Sequence, residues 1–384
     1  MIVTRLKLRN WRNFREADIV LRERTYVLGP NAAGKSNLLD VFRFLRDVSK
    51  PEGGGLQKAV SVRGGISKLR CLHARRPPFV RIEVELSHAP DDPAPAWTYA
   101  LAFQAEGKGR QRLLITEEKV VCGSDVILNR PHDEDRKDDA RLTQTYLEQI
   151  QVNAEFREIA EFFSGVNYLH LVPQLLKHSD EIGGRRLEGD PFGQGFLERL
   201  ARAQLKTRDA RLKRIQEALV LAVPQFEGLK FIRDEATGFP HLEARYQHFR
   251  PNAGWQREDQ FSDGTLRLIA LLWSLLEGEE LLLLEEPELS LNDGIVKEIP
   301  LLLDRIQRGT KRRSQIIVST HSEALLSNPG IDARGVLVLE PAKEGTRVRP
   351  ITLEERETLE SGFSVAEVVL PKTRPAAAKD LGRL

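Results

Sequence analysis

The spacing of apolar residues changes several times along the chain. Near the N-terminus Leu6, Leu8, Ile19 and Leu21 alternate with polar neighbours, and the short run TYVLG ends at Gly29, a period-two pattern that predicts strands. From Lys35 the period lengthens. Leu38, Phe42 and Leu45 recur at helical spacing, so a helix should open directly after the glycine-containing turn. Alternation returns at Phe79–Leu86 and Thr98–Phe103, with short strands expected to about Leu128, together an antiparallel sheet. The polar segment NRPHDEDRKDDAR at 129–141 reads as a linker, and Tyr146–Phe163 and Phe196–Val220 carry helical spacing. Beyond strand-like segments at Leu229–Ile232 and His241–Tyr246, helix and strand alternate: Leu266–Leu276, Leu281–Leu284, Ile295–Ile306 and Ile316–Ser319. Such alternation predicts a parallel sheet covered by helices. The expected fold is α/β, a mostly parallel sheet with an antiparallel β subdomain and a helical insertion. Its expected division is a first lobe at 1–128, the insertion at 129–224, a second lobe at 225–370 and a tail at 371–384.

Composition narrows the class. Of the 384 residues 41% are apolar and 30% charged, the balance of a soluble globular protein. Apolar runs such as Leu281–Leu284 are far too short to span a bilayer, and the N-terminal segment interleaves charge with apolar residues, unlike a secretion signal. The expectation is a cytoplasmic protein with no membrane partner. Cys71 and Cys122 lack metal-ligand spacing, so neither a disulfide framework nor a zinc site is expected. A net charge of +2 argues neither for nor against nucleic acid.

Four segments carry candidate chemistry. Gly29, Pro30, Asn31, Ala32, Ala33, Gly34, Lys35 and Ser36 satisfy the P-loop pattern, followed by Asn37, between a predicted strand and a predicted helix. Glycines let backbone N–H groups wrap a phosphate, Lys35 can reach the β- and γ-phosphates, and the Ser36 hydroxyl can ligate Mg2+. The leucine strand Leu281–Leu284 runs into Glu285 and Glu286; the first carboxylate suits the metal and the second a general base for the attacking water. His321, at the end of the next buried strand, can sense a γ-phosphate or orient that water. Ser262, Asp263 and Gly264 open another helix, a second anion-binding terminus.

In this order, with Asn10, Trp11 and Arg12 in a turn ahead of the P-loop, the segments resemble the ABC-type ATPases of the SMC, RecF and OLD group. The resemblance covers about 1–90 and 225–345. It implies the P-loop NTPase fold of an ABC ATPase head, ATP and Mg2+ as cofactors, hydrolysis to ADP and phosphate, and a homodimer or higher oligomer. In such a dimer Ser262 and Gly264 of one copy close on the nucleotide of the other, and Arg12 lies near the nucleotide. Glu285 stands where that group more often has aspartate, Asn292 where it often has histidine, and Gln57 is the nearest candidate for its Q-loop glutamine. An insertion of about a hundred residues without sustained heptads excludes a long-armed SMC protein. With sixty or so residues after His321, the Toprim nuclease of OLD enzymes is not expected. The shape resembles stand-alone OLD-like ATPases that work with a separate nuclease or effector in phage defence or DNA repair. The alternative is an ATP-gated scaffold that restrains such a partner without hydrolysis. A transporter motor fits less well, because the signature variants belong to the other branch. DNA contact would fall to Arg199, Arg202, Lys206 and Lys213, read as one basic helical face, or to Lys311, Arg312 and Arg313.

Overall fold

The computed structural model describes residues 1–73, 77–107, 112–178, 190–248, 254–309 and 314–373. Fifteen strands form three sheets among the described residues. The first is antiparallel, in the order β2 (Phe14–Val20), β1 (Ile2–Trp11), β4 (Val80–Ser87), β5 (Trp97–Ala105), β6 (Leu113–Cys122), β7 (Asp125–Arg130). The second runs β15 (Gly345–Pro350), β14 (Val336–Ala342), β3 (Arg24–Leu28), β13 (Gln315–Ser319), β12 (Leu281–Glu285), β8 (Val166–Leu169). It is parallel except for β15 at its edge. A small antiparallel sheet joins β9 (Phe226–Arg233), β10 (Pro240–Tyr246) and β11 (Gln256–Arg257). The longer helices are α1 (Lys35–Ser49), α2 (Arg157–Ser164), α3 (Phe196–Arg202), α4 (Leu205–Ala222), α5 (Asp263–Glu277), α6 (Asp293–Gly309) and α7 (Leu353–Glu360).

The parallel sheet is buried on both faces, and this explains the all-leucine strand. Successive side chains of a strand point to opposite faces. Leu281 and Leu283 therefore enter one core with α1, α2 and the antiparallel sheet, whereas Leu282 and Leu284 enter a second core with α5 and α6. A strand covered on both sides reads as a continuous apolar run. Burying each such leucine contributes about 1.5–3 kcal/mol.

The segment expected as an insertion departs from its reading in four places. First, 129–141 is no linker: it ends β7, forms a helical turn at Asp133–Lys137 and continues as a 3-10 turn at Asp139–Thr143. The cause is Arg130, whose fully buried guanidinium pairs at 2.9 Å with each of the buried carboxylates Glu118 and Asp135. Second, Tyr146–Phe163 is α-helical only from Arg157, after a 3-10 turn at Ala154–Phe156. The Glu118 carboxylate accepts the N–H groups of Tyr146 and Leu147 and holds that stretch as turns. Third, Val166–Leu169 joins the parallel sheet beside β12, a four-residue run too short to betray itself by periodicity. Fourth, the helix expected over Phe196–Val220 breaks after Arg202, where Ala203 and Gln204 are extended.

That break divides the basic face. Arg199 and Arg202 lie on α3, and Lys206 and Lys213 on α4. Neighbouring cations are turned inward. Arg208 stacks 3.9 Å from the Phe231 ring centroid and Arg211 5.1 Å from that of Trp273, contacts of the cation–π kind. The cluster Lys311, Arg312 and Arg313, and the tail beyond Thr373, lie outside the described residues.

Glu148 makes a first prediction. Its Oε2 accepts the N–H of Leu56 at 2.8 Å and the Thr145 hydroxyl at 3.1 Å, and burial pushes its carboxyl up to about 7. A carboxyl whose folded pKa is raised favours the folded state most below its ordinary pKa of about 4.3, and that contribution is lost as pH rises through about 7. Urea unfolding of Glu148→Gln should therefore show roughly 1–2 kcal/mol less loss of stability between about pH 5 and about pH 8 than wild type. An identical pH slope in the two proteins would remove Glu148 from this role.

Candidate functional site

β3 delivers the chain to the P-loop, and α1 begins at Lys35. Gly34 has a φ of 98°, and a Cβ there would lie 2.0 Å from the Asn13 amide nitrogen, so only glycine fits. Asn13 is a latch that the sequence reading missed. Its Nδ2 donates to the Ala33 carbonyl at 2.8 Å and to the Thr346 hydroxyl at 2.7 Å, while its Oδ1 accepts from Asn37 at 2.8 Å. The Trp11 indole N–H closes on the Asn37 carbonyl at 2.8 Å. The β1–β2 turn and strand β15 thus hold a loop that the P-loop pattern alone describes only locally. Lys35 is 8% exposed and folds its ammonium onto the Gly29 carbonyl at 2.9 Å and that of Pro30 at 3.4 Å. Burial lowers its pKa, against the pull of Glu286, Glu285 and Glu288, which places these carboxylates in the same electrostatic environment.

Ser36, exposed on the first turn of α1, donates its hydroxyl to Oε1 of Glu285. Serine hydroxyl and carboxylate are the hard oxygen donors that Mg2+ takes, so the pair fits the ion that the P-loop resemblance implies. Oε2 of the same carboxylate accepts the Tyr168 hydroxyl from β8, and the Glu285 carbonyl lies 3.3 Å from Nδ1 of His170.

Glu286 leaves the strand with a φ of 46°, a left-handed conformation that costs a non-glycine residue about 1–3 kcal/mol and clusters at functional sites. Its N–H is bound by the Ser319 carbonyl at 2.9 Å, and its Oε1 lies 3.0 Å from Nδ1 of His321. Both side chains reach solvent, with His321 51% and Glu286 24% exposed. Glu288 is buried behind them. Burial raises its pKa, and it accepts the Thr320 hydroxyl at 2.6 Å and the His321 N–H at 3.4 Å. It holds the turn that presents the histidine.

Ser262 caps α5, its hydroxyl accepting the Thr265 N–H at 3.1 Å. Gly264 sits so close to the turn after Glu288 that a Cβ would lie 2.5 Å from the Ser290 carbonyl. Asp263 is bound by Lys177 at 2.8 Å and Gln174 at 2.7 Å, and Lys177 holds its pKa low. The segment 168–177 therefore bridges Glu285 and the head of α5, a link with no local signal in the sequence. Gln57, the earlier Q-loop candidate, spends its amide on Leu113 and Thr143 carbonyls, each at 2.9 Å. Arg12 has a φ of 49° and pairs with Asp40 at 2.6 Å. Asn292 caps the start of α6 by accepting the Gly294 N–H at 2.9 Å.

Comparison with known proteins gives a family, a short stretch of sequence similarity and a fold. Over 92 residues the chain is 35% identical to the DNA replication and repair protein RecF of Roseiflexus castenholzii, a match that spans 22% of this chain and 23% of RecF. The chain thus covers about a quarter of that relative's length. In fold it resembles an SMC head bound to the C-terminal winged-helix domain of ScpA, with a TM-score of 0.57 at 15% identity over 93% of this chain and all of the other. It also resembles an SMC head with an extended coiled coil bound to the C-terminal domain of ScpA from Pyrococcus furiosus, with a TM-score of 0.52 at 14% identity over 94% and 98%. No described helix is long and apolar enough to cross a membrane. Residues 25–327, well over half of the chain, match the family described as "AAA domain, putative AbiEii toxin, Type IV TA system", and the protein belongs to this family.

Proposed function

We propose that the protein binds ATP with Mg2+, hydrolyses it to ADP and phosphate, and closes as a head-to-tail dimer on the bound nucleotide. The observation that carries this reading is the Glu286–His321 pair at 3.0 Å, beside a Ser36–Glu285 donor pair and a buried lysine that feels all three carboxylates. In this reading residues 29–37 wrap the phosphates and Lys35 leaves its loop carbonyls for the β- and γ-phosphates. Ser36 and Glu285 hold the metal, which supplies charge neutralisation on the phosphates. Glu286 takes the proton of the attacking water while His321 orients it. Ser262 and Gly264 of a second copy complete the site, and Arg12, tethered by Asp40, lies beside the nucleotide. Lobes at 1–128 and 225–370 carry the reacting groups, and 129–224 supplies the Tyr168 and Lys177 contacts behind Glu285 and Asp263 as well as the adaptation to a partner. For that partner we infer a separate nuclease or effector of a cytoplasmic OLD-like system in phage defence or DNA repair, with DNA as a further ligand.

Binding of a fluorescent ATP analogue to wild type and Lys35→Ala tests the first step. Loss of a charge-assisted contact worth about 1.5–3 kcal/mol should weaken binding by at least about 10-fold. Equal affinities would remove the P-loop from nucleotide binding. Light scattering of wild type with ATP should show twice the monomer mass, against the monomer mass alone for Lys35→Ala.

A further inference from the structure

We propose that Tyr168 is a positioning residue for the metal-binding carboxylate Glu285, an inference that rests on the magnesium–ATP reading above. Tyr168 stands on β8, whose parallel register sets it beside Leu283 of β12, two residues before the carboxylate. Its hydroxyl donates to Oε2 of Glu285 while Ser36 donates to Oε1. The two oxygens therefore have separate tasks. One faces the serine that shares the metal, and the other is tied to the sheet. The ring itself is fixed: Tyr168 is 6% exposed and the Arg43 guanidinium lies 4.3 Å from its centroid. Arg43 belongs to α1, the helix that carries Lys35 and Ser36, and lies 3.8 Å from Asp40 one turn earlier.

The chemistry explains why such an anchor is needed. A glutamate has one more rotatable bond than an aspartate, and immobilising its side chain costs more rotamer freedom. A hydrogen bond from a rigid, buried phenol meets that cost before the metal arrives. Partners of this kind, behind the ligand rather than on the metal, typically change metal affinity by about 10–100-fold when removed. Aspartate, with its shorter arm, would leave the phenol out of reach. The tyrosine and the glutamate are thus paired features of this chain.

Phenylalanine keeps the ring and its contact with Arg43 and removes only the hydroxyl. The test is Mn2+ binding, read by electron paramagnetic resonance in the presence of ADP, to wild type, Tyr168→Phe, Ser36→Ala and Glu285→Gln. ADP affinity in excess chelator and thermal melting are measured alongside. Tyr168→Phe should weaken Mn2+ binding about 10-fold with unchanged ADP affinity in chelator. In the Glu285→Asp background the same substitution should have no further effect. Wild-type Mn2+ affinity in Tyr168→Phe, with losses in Ser36→Ala and Glu285→Gln, overturns this inference and leaves the magnesium reading standing. An equal loss from Tyr168→Phe in both backgrounds also overturns it, because the effect would then be one of packing. Unchanged Mn2+ binding in all three single variants overturns the magnesium reading itself.

Discussion

Replacing Glu286 by glutamine is expected to slow phosphate release by about 100-fold or more, the range for loss of a general base, while ATP binding persists. The amide keeps the size of the side chain and can remain beside His321, now 3.0 Å from the carboxylate. It cannot take a proton from water. The backbone of Glu286, held at a φ of 46° by the Ser319 carbonyl, does not depend on the charge, so the variant should fold as wild type does. With hydrolysis blocked, the ATP-bound dimer should accumulate and light scattering should report a stable doubled mass. Equal phosphate release from the two proteins would exclude Glu286 as the base. ATP binding without turnover in either would instead support the nucleotide-gated scaffold, and the search would move to the partner that it restrains.

Arg130→Met is expected to produce the largest loss of stability, about 3–5 kcal/mol, because removing one member of a buried ion pair leaves uncompensated charge. Here two carboxylates are left. Glu118 and Asp135 are fully buried and each pairs with the Arg130 guanidinium, which also donates to the carbonyls of Gln144 and Arg141 and lies 3.8 Å from the Tyr146 ring centroid. Urea unfolding of Arg130→Met measures the effect. Arg136→Met, which breaks an exposed pair with Asp133 at 3.3 Å, should change stability by less than about 1 kcal/mol. The pH dependence has a definite sign. Burial acts to raise the pKa of Asp135, but hydrogen bonds from Arg130 and His132 outweigh it and bring the carboxyl down to about 2. A depressed pKa contributes stability above the ordinary carboxylate value of about 3.9, and that contribution is lost as pH falls towards about 2. Arg130→Met should therefore lose stability less steeply on acidification than wild type. Equal stabilities of Arg130→Met and Arg136→Met would show that the buried network holds nothing in place.

The two cores show how far periodicity carries. β12 and β13 are legible because both faces of a parallel sheet are covered, and the run of leucines states this directly. α6 is legible because it buries one stripe, and α1 and α5, buried over most of their surface, because apolar residues recur at helical spacing after a recognisable start. β8 was not legible: four residues contain too few periods, and pairing with β12 makes Val166–Leu169 a strand. The supposed linker at 129–141 failed for the opposite reason. Its charges suggest solvent, but Arg130 and Asp135 neutralise each other inside the protein together with Glu118, a pairing that becomes visible only when β6 and β7 are brought side by side.

What the sequence determined by itself is what short-range chemistry can encode. The P-loop residues 29–36, the serine cap at Ser262 and the paired carboxylates at the end of a leucine strand are motifs of adjacent residues. Their backbone geometry follows from glycine freedom, capping and burial within a few positions. Only the tertiary structure decided what stands behind them. Asn13 and Thr346 on the loop, Tyr168 on Glu285, and Gln174 and Lys177 on Asp263 are brought in from a turn, two strands and a short helix elsewhere in the chain. A hydrogen bond between distant residues has no period and no fixed spacing. It exists because sheet register places two side chains within about 3 Å, and register is a property of the folded whole.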